Sequence, residues 1–414
     1  MKRAMFILAA LIAGLLLGMA TGDTVPLLKE VADLIGTMWL NGLRMTVIPL
    51  VVALLVTGVL QTVDAASTGK LATRAILTML AILWAVTIMS ALLTPALIAL
   101  IPMPQDAGNA LRSALGSVAA SETPPPFGDF VKAMIPTNPI NAAANDAILP
   151  LIVFTLTFAF AATQIAPDKR QTIKQFFEAV ADTMVMVIRW VLLLAPIGVF
   201  ALGVALGITA GAAAFGALAH YVLIVSMVGF VVFISAYLIA IFGARFRFVD
   251  FLRAAIPAQA VAISTQSSLA SLPTMVEGAK NLGVSARTTD IVLPIAVAIF
   301  RVTGPAMNLA VALYVAHFMG VELGPQEIAI GVAVAAITTL GSVSLPGSIS
   351  FIASVAPICL AMGVPIEPLG LLIAIETFPD IMRTVGNVTM DIAVTGTVAR
   401  GEGDLVTGEN HEIS

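Results

Sequence analysis

Charge is what this chain has least of. Asp, Glu, Lys and Arg supply 11% of its 414 residues, less than half of the ~25% usual in soluble domains. Hydrophobic residues supply 59%, and the mean hydropathy is +1.04. So little charge excludes an ordinary soluble domain and implies a chain that crosses a membrane many times. Cys359 is the single cysteine, which excludes an intrachain disulfide and leaves a small buried hydrophobe as its plain role. Histidines number three, and no His/Cys metal cluster, paired catalytic carboxylates, nucleophile elbow or basic nucleic-acid patch is present. These absences argue against an enzyme, a resident cofactor and a nucleic-acid partner. Membrane lipid is the expected surrounding.

What the chain has instead is apolar length. Stretches long enough to span a bilayer lie at 4–21, 34–62, 72–101, 144–166, 176–207, 217–243, 289–317 and 367–398. The first resembles a signal peptide but lacks a clear small-residue cleavage site, so a retained first span is expected. Two more apolar segments, 250–285 and 327–364, are each interrupted by a Ser/Gly/Pro cluster, Ser264 to Pro273 and Thr338 to Ser348. Broken backbone cannot face lipid, because its N–H and C=O groups would go unpaired. Two interrupted segments in related positions point to a ligand site between them. Each reads as a re-entrant helical hairpin; a kinked helix with serines bonded to backbone is the plainer alternative.

Positive charge sets orientation. Lys2 and Arg3, Lys70 and Arg74, Lys169 to Lys174, Arg245 to Arg253, and Arg400 fall at alternate ends of the spans. The expectation is an all-α multi-pass protein of the inner membrane, with eight transmembrane helices, two hairpins of inverted orientation and both termini cytoplasmic. Residues 102–130, with Thr123-Pro124-Pro125-Pro126, read as a flexible external loop. Residues 401–414 read as a disordered cytoplasmic tail.

The most telling polar residues sit in the last span. Glu376, Asp380, Arg383, Thr384, Asn387 and Asp391 fall at offsets −4, 0, +3, +4, +7 and +11 from Asp380, which share one helical face. Ionisable groups in a membrane helix mark a substrate or ion path by default. A carboxylate can hold an ammonium, and a guanidinium can fork onto a second carboxylate. A salt-bridged packing face is the alternative. Elsewhere, Asn308 reads as closing the kink left by Pro305. Trp39, Trp84 and Trp190 read as interface or scaffold packing. His220 and His317 read as anchors near span ends, and the small-residue run Gly207 to Ala219 as a site of close helix approach.

Several motifs together resemble the dicarboxylate/amino acid:cation symporters, the glutamate transporter family, over nearly the whole chain. They are Met45-Thr46-Val47-Ile48-Pro49, Pro136-Thr137-Asn138-Pro139, Ala195-Pro196-Ile197-Gly198, Ser267-Ser268, Leu345-Pro346-Gly347 and, most specific, Asp380 to Asp391. The resemblance implies an elevator-type glutamate transporter fold and a homotrimer. Residues 1–243 would be mainly scaffold, with span 3 and parts of span 6 able to move with a transport domain at 244–400. It also implies roles. Asp380 would take a substrate ammonium, Arg383 a side-chain carboxylate, and Thr384 and Asn387 further hydrogen bonds. Backbone around Ser267, Ser268, Leu345 and Gly347 would hold the main-chain groups, and Asp391 would be a sodium ligand. Relatives that carry C4-dicarboxylates tend to lack the aspartate matched by Asp380, so its presence favours an acidic amino acid.

The seventh span departs from that family. Where relatives carry Asn-Met-Asp-Gly-Thr, this chain has Phe300-Arg301-Val302-Thr303-Gly304, and Ile82 and Leu83 align with polar sodium-site residues of the third span. At the first hairpin, Gln266 stands where arginine is common. At least one sodium site is therefore expected to be lost, although sodium itself stays possible. Arg301, a permanent cation near mid-bilayer, needs an anion; Asp391 or Glu376 would serve, and Arg301 would then fill the electrostatic role of a bound sodium. An aqueous cavity or neighbouring helix is the alternative for Arg301. With Asn387 and Asp391, it and Glu376 form the candidate coupling set, in which Glu376 could carry a proton. The expected function is secondary transport of aspartate or glutamate with reduced or altered sodium coupling. A C4-dicarboxylate or zwitterion carrier with conventional sodium coupling, or an anion channel, is the alternative.

Overall fold

Backbone buried in hydrocarbon must satisfy its own hydrogen bonds, so a chain this apolar has little choice but helix. The computed structural model describes residues 2–67, 69–103, 132, 134–340 and 347–405, and among these the only β feature is the isolated bridge between Val284 and Leu405. The helices of the first half are α1 (Lys2–Thr21), α2 (Pro26–Arg44), α3 (Val47–Ala66), α4 (Lys70–Leu100), α5 (Pro139–Ala144), α6 (Ile148–Ala162), α7 (Pro167–Leu193), α8 (Ala195–Ala210) and α9 (Ala213–Leu238). The second half holds α10 (Phe248–Thr265), α11 (Ser268–Asn281), α12 (Ala286–Ile299), α13 (Thr303–Met319), α14 (Pro325–Thr339), α15 (Gly347–Ala361), α16 (Leu369–Leu372) and α17 (Thr377–Glu402).

Among the described residues, four helical segments are long and apolar enough to cross a bilayer alone, and a fifth if α7 and α8 count as one span. The protein is thus a multi-pass membrane protein. Large apolar side chains such as Leu92, Leu100 and Phe242 are exposed, as lipid-facing surface requires. The stretch 176–207 is one span in the sequence reading but two helices bent by 58° in the structure. Pro196 lies in the first turn of α8. A proline there loses no helical bond, while its missing N–H prevents α7 from running on.

The first interrupted segment is a helical hairpin, with α10 packed on α11. Gln266 turns the chain in the left-handed region at φ 52, and Ser267 caps α11 by accepting the Ala270 N–H. In the second, α14 packs on α15; its tip, including Leu345, lies outside the described residues, as does most of the expected external loop 102–130. Residues 401–405, expected to be part of a disordered tail, are structured. Helix α17 continues to Glu402, and the Asp404 carboxylate accepts hydrogen bonds from the Ser285 and Thr288 hydroxyls. Those bonds hold the Asp404 carboxyl below the usual carboxylate range. Residues 406–414 lie outside the described set.

Helices α13 and α17 are buried along almost their whole length. Around them pack α4, α9 and the helix pairs α10–α11 and α14–α15. Away from this core, α1 crosses α8 at glycines. A Cβ on Gly14 would come 2.3 Å from the Phe200 carbonyl oxygen, on Gly18 2.3 Å from that of Val204, and on Gly207 2.3 Å from that of Leu15. Backbones touch there because no side chain intervenes. Gly216, in the same expected small-residue run, has nothing within 4 Å. Gly18→Leu should therefore lower stability by about 1–3 kcal/mol, the cost of overpacking. Gly216→Ala should be neutral or raise it by ~0.5–1 kcal/mol from helix propensity. Thermal unfolding in detergent distinguishes the two.

Candidate substrate and ion site

The last span brings its polar face to the centre of the molecule. Asp380, Arg383, Thr384, Asn387 and Asp391 are all buried on α17. Glu376 is buried too, but it ends the turn just before α17 rather than sitting inside the helix. The guanidinium of Arg383 is the hub. Its Nη2 donates to Glu376 Oε1 at 2.5 Å, its Nη1 to Asn308 Oδ1 at 2.6 Å, and its Nε lies 3.5 Å from Asp380 Oδ1. Tyr221, on α9, donates to the other Glu376 oxygen at 2.8 Å. A guanidinium hydrogen-bonded to a carboxylate and an amide, with a second carboxylate beside it, is nearly desolvated yet well answered, the condition under which a buried charge is tolerated.

The buried segment after α12 is broken. Phe300, Arg301 and Val302 form the unwound link between α12 and α13. Arg301 is partly buried, within electrostatic reach of Asp380, Asp391 and Arg383. Thr303, the first residue of α13, donates its N–H to Asn387 Oδ1 at 2.9 Å. Its hydroxyl lies 2.8 Å from the same Oδ1 and 2.9 Å from the Arg383 carbonyl oxygen. Asp391 is the exception in this well-bonded neighbourhood. Both its carboxylate oxygens are buried without a hydrogen-bond partner among the described residues. Such an orphaned carboxylate suits a cation, but Phe300 and Val302 offer no side-chain oxygen to complete an ion's shell, and Asn387 Oδ1 is engaged by Thr303.

The hairpin residues are placed less closely. Ser267 and Ser268 are half-buried at the α10–α11 tip. The tip reaches the start of α17 through Gln266 Nε2, which donates to the Thr377 carbonyl oxygen at 3.3 Å. Gly347 opens α15. The Thr384 hydroxyl is turned onto its own helix, donating to the Asp380 carbonyl oxygen at 2.9 Å.

The family model described as the sodium:dicarboxylate symporter family matches residues 4–401. The chain belongs to this family. The chain is 29% identical to the proton/sodium-glutamate symport protein of Bacillus subtilis (strain 168), over 97% of this chain and 94% of that protein. It is 24% identical to the proton/glutamate-aspartate symporter of Escherichia coli (strain K12), over 89% and 84%. It is also 24% identical to the C4-dicarboxylate transport protein of Rhodospirillum rubrum, over 96% and 88%. As a sodium:dicarboxylate symporter family member the protein is a transporter and not an enzyme.

Sequence reasoning missed three contacts of this symporter's site. Asn308, expected to close the kink left by Pro305, instead accepts from Arg383. Thr303 was not singled out, and Tyr221 went unremarked. The signal for Tyr221 was scarcity. The three tyrosines, Tyr221, Tyr237 and Tyr314, are all buried and all hydrogen-bonded, because a phenol in a dry interior must find a partner. His220 is likewise no surface anchor. It is buried, with Nδ1 3.0 Å from the Tyr314 hydroxyl and Nε2 2.6 Å from the Ile101 carbonyl oxygen. Because a carbonyl oxygen only accepts, Nε2 carries the proton there. Tyr221→Phe should destabilise by about 1.5–3 kcal/mol, the value of a hydrogen bond to a charged group. Combined with Glu376→Gln, the loss should fall short of the sum of the single losses, as a double-mutant cycle on thermal stability will read.

Proposed function

We propose that the protein is a secondary active transporter of acidic amino acids, aspartate or glutamate, with reduced dependence on sodium. The carrying observation is the buried Arg383 guanidinium, gripped by Glu376 and flanked by Asp380. A substrate with two carboxylates and one ammonium matches this arrangement group for group. Its side-chain carboxylate takes the place of Glu376 on Arg383, its ammonium goes to Asp380, and Thr384 and Asn387 add hydrogen bonds. Relatives named for glutamate and aspartate transport support the reading. Relatives named for C4-dicarboxylates support a second one, but a dicarboxylate brings no ammonium to balance Asp380.

Coupling follows from charge. The ionised set holds three carboxylates, Glu376, Asp380 and Asp391, against two guanidiniums, Arg301 and Arg383. Arg301, within reach of Asp391, fills the electrostatic role of a sodium ion. When substrate displaces Glu376 from Arg383, Glu376 is left in a dry pocket without its cation, and binding a proton removes that uncompensated charge and returns the set to its empty-state charge. One proton then travels with each substrate. The architecture that fits is eight spans and two hairpins in a homotrimer of the inner membrane, both termini cytoplasmic. The 244–400 unit, with spans 3 and 6 packed on it, moves elevator-fashion against the rest. A unit loaded with substrate and a proton carries the same net charge as the empty one, whereas substrate alone would add a negative charge and make crossing costlier.

Uptake of aspartate into proteoliposomes should proceed without sodium and saturate. Arg383→Lys, which keeps the charge but loses the fork, should weaken aspartate binding at least tenfold, in line with ~1.5–3 kcal/mol per charged hydrogen bond. Strict dependence on several sodium ions, or unaltered binding in Arg383→Lys, would overturn the reading. In wild type, external acid should accelerate uptake, because Glu376 must take a proton for substrate to seat. Glu376→Gln should transport with no pH drive. PH-driven uptake that survives this change removes Glu376 as the carrier.

A further inference from the structure

Helix α13 begins in the protein interior, directly after the unwound link at 300–302. The first N–H groups of a helix have no partner within it, and the N–H of Thr303 finds one across the gap, in Asn387 Oδ1 at 2.9 Å. A backbone N–H only donates, so the atom facing it must be the amide oxygen. The orientation of the Asn387 amide follows from this chemistry. The Thr303 hydroxyl, 2.8 Å from the same oxygen and 2.9 Å from the Arg383 carbonyl, adds a second restraint on the turn of α17 that carries Arg383 and Asn387. The hydroxyl has one proton to share between these two acceptors, so Oδ1 is held by the Thr303 N–H and by that shared hydroxyl, and what Asn387 offers to a ligand is its NH2.

The fit around Thr303 is close. A Cβ on Gly386 would stand 2.5 Å from the Thr303 Cγ2, so the missing side chain at 386 is the space that the threonine methyl fills. A glycine at 303, as in the resembling family, would supply the N–H but neither the hydroxyl nor the methyl. The amide of Asn387 would then hang on one bond and could rotate.

We propose that Thr303 is a positioning residue for substrate, holding Asn387 as a fixed hydrogen-bond donor toward a carboxylate and withholding its oxygen from any cation. This rests on the acidic amino acid reading above. It makes two demands on a ligand. The group meeting Asn387 must accept hydrogen bonds, and an ammonium or a metal ion finds no acceptor there.

The test is aspartate uptake by three variants in proteoliposomes, beside wild type and Arg383→Lys. Thr303→Val keeps the shape and the N–H but removes the hydroxyl. It should raise KM for aspartate about fivefold to tenfold, the size of one lost hydrogen bond, with Vmax changed less than twofold. Thr303→Ser restores the hydroxyl and should return KM to within twofold of wild type. Asn387→Asp keeps the acceptor for Thr303 but replaces the NH2 by an anionic oxygen; it should lose aspartate binding while its thermal stability stays near wild type. A Thr303→Val variant with wild-type KM, a Thr303→Ser variant no better than Thr303→Val, or an Asn387→Asp variant that binds aspartate normally would overturn the proposal. If Arg383→Lys also binds normally, the substrate reading itself falls. If Arg383→Lys fails while Thr303→Val is normal, only the role of Thr303 falls.

Discussion

A guanidinium cannot lose its proton inside a protein, so Arg383 must be answered by anions wherever it goes. In a dry interior the cost of leaving it unanswered is several kcal/mol. Glu376, Asp380 and Asn308 meet it from three sides, and Tyr221 in turn steadies Glu376. Three helices are tied together by this one charge: α9 through Tyr221, α13 through Asn308, and α17 with its preceding turn. A ligand carboxylate meeting Arg383 would have to displace Glu376 or Asp380, and under the proposed function the contact that stabilises the ligand-free protein is also the one substrate competes with.

Broken helices supply the rest of the site. A continuous helix in lipid uses up its own backbone, whereas a broken one frees N–H and C=O groups that can hold something else. Here one break already has its occupant. The start of α13 is capped from α17 by Asn387, which joins the two most deeply buried helices side by side. At this break Val302 and Phe300 bring no side-chain oxygen, Thr303 brings a hydroxyl that is already bonded, and Arg301 brings a charge of its own. Asp391, with both oxygens lacking hydrogen bonds among the described residues, is where these features meet.

Much of this was legible in the amino-acid order. Apolar length located the helices, and the Ser/Gly/Pro clusters located the hairpin turn at Gln266 and Ser267. The polar stripe from Glu376 to Asp391 stood out because lipid makes each such residue expensive. The bend at Pro196 was present in the sequence, yet an unbroken apolar run concealed it, since hydropathy is blind to direction. The stripe also hid a difference. Glu376 shares the helical spacing of the others but sits in a turn, where it can fold back onto Arg383.

The sequence by itself determined the class, the helices and the last-span residues, because those follow from local rules: solvation of the backbone, hydrophobic length and the period of a helix. Only the tertiary structure decided which groups touch. Tyr221 to Glu376 spans 155 positions, Asn308 to Arg383 75, and Thr303 to Asn387 84. No local pattern encodes contacts over such separations; they exist because folding brings α9, α13 and α17 into one dry space, where each buried polar atom must take the partner that packing offers.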